Sequence, residues 1–353
     1  MRDKKKAVWN MVFLFAVFGL TLYGVFHGED LESMMLAIQT AQWEWLLPGV
    51  GLVLFFIWGE SIIIWYMMKS YGTQLKKRTC FLFSSVGFFF SCITPSASGG
   101  QPMQIYYMKK ERIPIPVSTV VLMIVTITYK LVLVVIGIGI LIFGQGFLHR
   151  YLEGILPVYY LGLGLNVFCV IFMTVLVFHP VLARVILRKG MQILERFHLM
   201  KPKKERVEKL ELSMDTYRGT AEYLKEHLGV ILIVFGITFV QRMALFAATW
   251  FVYLAFGLSG TSFWDVVFLQ AVISVSVDML PLPGGMGISE TLFLHIFRPV
   301  FGSLLLPGMV LSRGLGYYGE LLISAVFTVV AQLTIGNDRM REQKKCIKER
   351  VEG

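Results

Sequence analysis

The sequence predicts an all-α polytopic membrane protein: six transmembrane helices plus two Pro/Gly-broken segments, arranged as an inverted-topology repeat. Three observations predict it. Of 353 residues, 56% are hydrophobic and 16% charged; long apolar runs recur along almost the whole chain; and basic residues gather in alternate loops. A water-soluble domain could not stay dissolved with that balance, so the solvent is lipid.

A spanning helix needs about 20 apolar residues. Runs of about that length or longer cover residues 8–26, 43–68, 116–143, 156–178, 230–256 and 306–334. Trp43, Trp45, Trp65, Tyr151, Tyr159 and Tyr160 sit near their ends, where amphipathic rings favour the headgroup level. The basic start, Arg2 to Lys6, followed by an apolar run resembles a signal peptide. No small-x-small cleavage site precedes residues 27–32, which predicts an uncleaved first helix.

Segments 79–108 and 265–303 are apolar but interrupted in the middle. If both return to the side they enter, 28 of the 33 Lys and Arg residues share one side with both termini, and the other side keeps Arg150 and Arg298. That asymmetry is the positive-inside pattern and puts both termini in the cytoplasm. The arm 101–108 is about 12 Å long at 1.5 Å per residue, too short to cross, so the first segment is a re-entrant hairpin. The second has a longer return arm and fits either a hairpin or two crossings, up to eight spans in all. The net charge of +10 therefore reports orientation, not nucleic-acid binding.

The chain reads as a single integral membrane domain, 1–353. Residues 43–143 form a first repeat around the broken segment 79–108, and 230–334 a second around 265–303. Residues 179–229 mix 11 basic with 7 acidic side chains, as an amphipathic cytoplasmic connector along the inner leaflet would. Residues 335–353 form a basic cytoplasmic tail.

The two breaks share their punctuation. One reads Thr94-Pro95-Ser96-Ala97-Ser98-Gly99-Gly100-Gln101-Pro102, the other Leu280-Pro281-Leu282-Pro283-Gly284-Gly285-Met286-Gly287. Lys130 follows Gly100 by 30 residues and Arg313 follows Gly285 by 28; Glu60 precedes Gly99 by 39 and Arg242 precedes Gly284 by 42. Matching breaks of opposite sidedness point to a transporter with its site near the midplane. A break leaves backbone groups without helical partners, tolerable where they line a polar cavity or bury in protein. Return arms starting after Gly100 and Gly285 are expected to present N–H donors suited to a phosphate; the alternative is that the glycines only permit close packing.

Seven ionisable residues fall inside apolar runs: Glu60, Lys130, Arg242, Asp278, Glu290, Arg313 and Glu320. Each costs about 2.5 to 3.5 kcal/mol at a helix centre on insertion scales, so they are expected to pair or to serve a substrate. Arg313, Tyr317 and Glu320, at i, i+4 and i+7, share one helix face. The candidate substrate-binding set is these seven with Tyr317; the break residues expected to face a phosphate are Ser98, Gly99, Gly100, Gln101, Pro283, Gly284, Gly285 and Gly287. The four cysteines show no disulfide or zinc spacing, no catalytic motif stands out, and no cofactor or metal is expected.

The stretches Pro95 to Pro102 and Pro281 to Glu290 resemble the two signature stretches of the lysylphosphatidylglycerol synthase transmembrane region, the flippase part of bacterial multiple peptide resistance factors. The similar layout spans residues 8–334. The resemblance implies a protein of the bacterial cytoplasmic membrane that translocates an anionic or aminoacylated phospholipid such as lysylphosphatidylglycerol, contributing to cationic peptide resistance. Full-length members carry a soluble domain that transfers lysine; without it, lysyl transfer by this chain is not expected.

The leading expectation is a lipid flippase with a membrane phospholipid as its partner, with a second copy of the chain or a separate lipid-modifying enzyme as further partners. The alternatives are an integral membrane enzyme in lipid modification, such as phosphatidylglycerol lysyltransferase, using Asp278 or Glu290 as acid or base, and a scaffold that docks a partner on 179–229.

Overall fold

The computed structural model describes residues 31–196, 204–282 and 285–335, and these form helices and no strand. A short α1 (Leu31–Gln39) precedes α2 (Trp43–Ser70). The first broken segment is α3 (Lys77–Cys92), a 3-10 turn and α4 (Gly100–Lys110). Then come α5 (Ile115–Phe143), α6 (Leu156–Phe178), α7 (Pro180–Arg196), α8 (Lys204–Glu226) and α9 (Leu228–Ala255). The second broken segment is α10 (Phe263–Val277) and α11 (Ile288–Ile296), and the fold closes with α12 (Leu305–Arg313) and α13 (Glu320–Thr334).

Among the described residues, five helices are long and apolar enough to cross a membrane: α2, α5, α6, α9 and the stretch Arg298–Thr334 that contains α12 and α13. They match five of the six expected spans; the remaining one, 8–26, lies outside the described residues, as does the tail beyond 335. Stripes of exposed apolar residues mark the lipid side. Leu47, Val50, Leu54 and Trp58 run along α2, Phe168, Ile171, Phe172 and Val175 along α6, and Leu322, Val326, Val329 and Leu333 along α13. The i, i+3, i+4 spacing puts each stripe on one face, and the opposite face packs inward.

Both broken segments are helical hairpins. α3 has 16 residues and α4 has 11, against about 20 needed to cross. Their arms run antiparallel: Gly87 faces Gln104, and Gly100 faces Ser91 and the Gly87 carbonyl. α10 has 15 residues and α11 has 9, so neither arm of the second hairpin crosses by itself.

The two halves meet along α2 and α9, each 28 residues long. They pack antiparallel and cross near their middles, where Gln241 Nε2 donates to the Phe56 carbonyl at 2.6 Å. Gly49 faces Phe251 and Ala248, and Gly59 faces the Gln241 side chain. Small residues at such contacts let helix backbones approach closely. Each hairpin leans on the opposite half. α3 lies against α13, where Phe81 and Phe327 meet edge to face at 4.8 Å. α10 lies against α5 and α6, where Asn166 donates to the Val275 carbonyl at 3.2 Å.

The apolar core is split. One cluster takes Val132 to Ile140 of α5 with α10, α11 and the end of α9. The other takes Val117 to Ile127 of α5 with Ile63 to Met68 of α2. Between them, at mid-length of the long helices, lies a polar layer.

The connector is two helices. α8 docks on the bundle through buried Met214, Tyr217, Ala221 and Leu224, with Tyr217 Oη donating to Leu176 O at 3.1 Å and Tyr223 Oη to Ser70 O at 2.6 Å. Its periodic apolar residues therefore cover protein. α7 instead leaves Val181, Leu182, Val185 and Ile186 exposed, the face that suits a membrane surface. Arg188 ties the pair through Glu211 at 2.5 Å.

Candidate functional site

The polar layer encloses a cavity of about 520 Å³, within the range of small-molecule sites. Of the eight side chains expected to bind substrate, Glu60, Lys130, Arg242, Asp278, Arg313, Tyr317 and Glu320 line it. Glu290 stands directly behind Arg313, bonded to its Nε. These residues come from α2, α5, α9, α12, α13 and the second hairpin, so the site exists only when both halves are assembled.

Lys130 and its neighbour Tyr129, on α5, both bond Asp278, which follows α10 at the tip of the second hairpin. The pair is largely buried, at 10% and 13% side-chain exposure. The hairpin is tied a second time by Glu290. One carboxylate oxygen accepts from Arg313 Nε at 2.8 Å and the other from the Gly287 N–H at 2.7 Å, capping α11. A charged cap at a helix start is favoured by the free N–H groups and the dipole there.

The first hairpin is held by the same logic from the other half. Tyr317 Oη donates to the Cys92 carbonyl at the end of α3, at 2.9 Å, and Cys92 Sγ approaches Glu320 Oε1 at 3.7 Å. Glu60 of α2 accepts from Gln104 Nε2 of α4 at 2.7 Å. Gln101 bonds Thr126 of α5. Arg313, Tyr317 and Glu320 do reach one cavity as their spacing predicts, although a π-helical turn, Gly314–Gly319, separates α12 from α13. Such turns recur at functional sites.

Arg242 is set apart. Its guanidinium lies 3.6 Å from the Tyr129 ring centre and 4.6 Å from that of Phe56, contacts that hold the planar cation without consuming its N–H donors. Its Nε is buried with no hydrogen-bond partner. A buried donor left unbonded is costly; Nε itself is shielded, and it is the remainder of the Arg242 side chain that lines the cavity.

The break residues do not behave alike. Gly100 is buried, is not among the positive-φ residues, and owes its identity to packing, since a Cβ there would strike Ser91 Oγ and come within 2.7 Å of the Gly87 carbonyl. Positive φ in the first break falls on Ala97, at 52°. Gly285 and Gly287 are left-handed, at 66° and 85°, which favours glycine. Three of the N–H groups at the breaks are taken by the protein itself: Gly99 by Thr94 Oγ1 at 2.9 Å, Gly285 by Leu282 O at 3.2 Å and Gly287 by Glu290. Ser98, Gln101 and Gly285 line the cavity; Pro283 and Gly284 lie outside the described residues.

Counting charges alone passed over the polar residues that orient them. Gln104, Gln270, Thr126, Ser312 and Cys92 also line the cavity. Amides inside an apolar run were the available signal, because a buried amide needs partners just as a charge does.

Apolar spans around a buried, charged cavity define the class: a polytopic membrane protein with an internal polar site. The chain belongs to the family described as lysylphosphatidylglycerol synthase TM region, whose family model matches residues 9–324. Its role is thus in membrane lipid handling. No curated protein matches the chain.

Proposed function

We propose that the protein is a lipid translocase of the bacterial cytoplasmic membrane, carrying the headgroup of an anionic or aminoacylated phospholipid such as lysylphosphatidylglycerol between leaflets. The observation that carries this reading is the mid-helix cavity lined by Arg242, whose guanidinium rests on two aromatic rings. A phosphate oxygen is the acceptor a guanidinium fits best. Apolar tails can stay outside, against the exposed stripes, while the headgroup passes the polar layer.

The pairing of the two halves supports the same reading, and we propose that they form an inverted repeat working by alternating access. Antiparallel α2 and α9 have equal length, each precedes a hairpin, and each hairpin rests on the other half. Binding sites between such repeats sit at mid-depth. The enzyme reading is weaker because its two candidate acids are engaged, Asp278 by Lys130 and Tyr129 and Glu290 by Arg313 and Gly287. Moving an aminoacylated lipid outward would lower the negative surface charge that attracts cationic peptides.

The test is reconstitution into vesicles holding a trace of phosphatidylglycerol with a headgroup fluorophore, and a second set with fluorescent lysylphosphatidylglycerol. An impermeant quencher then reads the leaflet distribution. Transfer should exceed that of protein-free vesicles at least tenfold and fall to background in Arg242→Gln. Equal rates with and without protein for both lipids would remove the proposal.

A further inference from the structure

The cavity holds more carboxylates than its own cations neutralise. Among the described residues, Lys130, Arg242 and Arg313 face Glu60, Asp278 and Glu320, with Glu290 behind Arg313. Lys130 is committed to Asp278 and Arg313 to Glu290. What remains is Arg242 with Glu60 and Glu320 in the lining of the same cavity: its charge acts on both carboxylates, which also act on each other.

The groups facing this triad come from every surrounding element. Glu60 meets the Gln104 amide of α4 and feels the charge of Arg242 of α9. Glu320 meets the Cys92 thiol of α3 and feels the charges of Arg242 of α9 and, from its own side, Arg313. Tyr129 of α5 lies under Arg242 and senses Glu320 and Asp278. Arg313 is already shared with Glu290, so the two acids rely chiefly on one guanidinium. Two carboxylates sharing one counter-charge in a medium of low dielectric cannot both stay ionised cheaply.

We infer that a phosphodiester lipid of net charge −1, such as phosphatidylglycerol, enters this cavity together with about one proton, Arg242 binding the phosphate and the pair Glu60 and Glu320 taking up the proton. The inference rests on the translocase reading. With the cavity empty, one proton on the pair balances three cations against four carboxylates. The lipid brings one negative charge and draws Arg242 away from the acids, so a second proton restores neutrality. The proton comes from water and returns to water when the lipid leaves, and no covalent bond changes. A pH difference across the membrane then sets the direction of lipid movement.

The experiment uses the full chain in neutral detergent and dioctanoyl phosphatidylglycerol as the probe. Calorimetric titration near neutral pH, in two buffers of different ionisation enthalpy, gives the protons taken up per lipid bound. About one is expected, with affinity weakening up to tenfold per unit rise in pH. Either Glu60→Gln or Glu320→Gln alone keeps the count near one, because the remaining acid still accepts a proton. The double variant brings it to zero, and in Glu60→Gln the new amide carbonyl can still accept from Gln104. Binding by the wild type with no proton uptake overturns the coupling and leaves the translocase reading standing, and that measurement needs no variant to fold. Vesicle transfer of fluorescent phosphatidylglycerol that ignores an imposed pH gradient overturns the coupling in the same way. Absence of both binding and transfer overturns the translocase reading and the coupling together.

Discussion

Lys130 and Asp278, 148 residues apart in the chain, form a buried ion pair that fastens the tip of the second hairpin to the middle of α5. Tyr129 adds a second bond to the same carboxylate. Removing one partner of a buried pair strands the other charge, at about 3 to 5 kcal/mol, whereas removing both is far milder. Lys130→Met and Asp278→Asn should each lower the thermal midpoint of the detergent-solubilised protein by several degrees. The double variant should recover most of the loss. Additive losses would mean that the two side chains do not act as a pair.

Glu290 does two jobs that substitution can separate. Gln at this position can still accept from the Gly287 N–H but no longer answers the charge of Arg313; Ala loses both. Losing a cap costs about 0.5 to 2 kcal/mol, so Glu290→Ala should be less stable than Glu290→Gln by about that amount in a denaturation series. Equal stability of the two variants would show that the cap contributes nothing.

The glycines at the breaks should fail for different reasons. At Gly100 a methyl group meets backbone, the Gly87 carbonyl, so the arms of the first hairpin must separate; overpacking of this kind costs about 1 to 3 kcal/mol. At Gly285 the strain is mainly conformational, about 1 kcal/mol for a left-handed residue that gains a Cβ. Gly100→Ala should therefore lose more stability and more lipid transfer than Gly285→Ala, with Leu worse than Ala at both. A reversed order would contradict the packing role assigned to Gly100.

Orientation is open to direct labelling. In a background with the native cysteines replaced, Cys at Gly146 or Ser259 should react with an impermeant maleimide in intact cells, and Cys at Lys109 or Glu226 only after lysis. All four positions are exposed on the protein, so accessibility reports the side of the membrane. Labelling of Lys109→Cys from outside would require the first hairpin to cross.

Five of the six expected spans, the breaks and the identity of the internal charges were legible in the primary structure. Each is a property of one segment against a lipid solvent: hydrophobic length sets what crosses, Pro and Gly set where a helix stops, and an ionisable residue inside an apolar run must turn inward. Seven of the eight expected substrate-binding side chains accordingly line one cavity. Which side chain meets which came from packing in three dimensions. Lys130 meets Asp278, Arg313 meets Glu290, and Arg242 is left on two aromatic faces with an unbonded Nε. These outcomes depend on the rotation of each helix about its axis and on which hairpin rests on which half, and spacing along the chain encodes neither. The same holds for Gly100: its sequence context suggested a turn, but its neighbour across the hairpin, the Gly87 carbonyl, is what excludes a side chain.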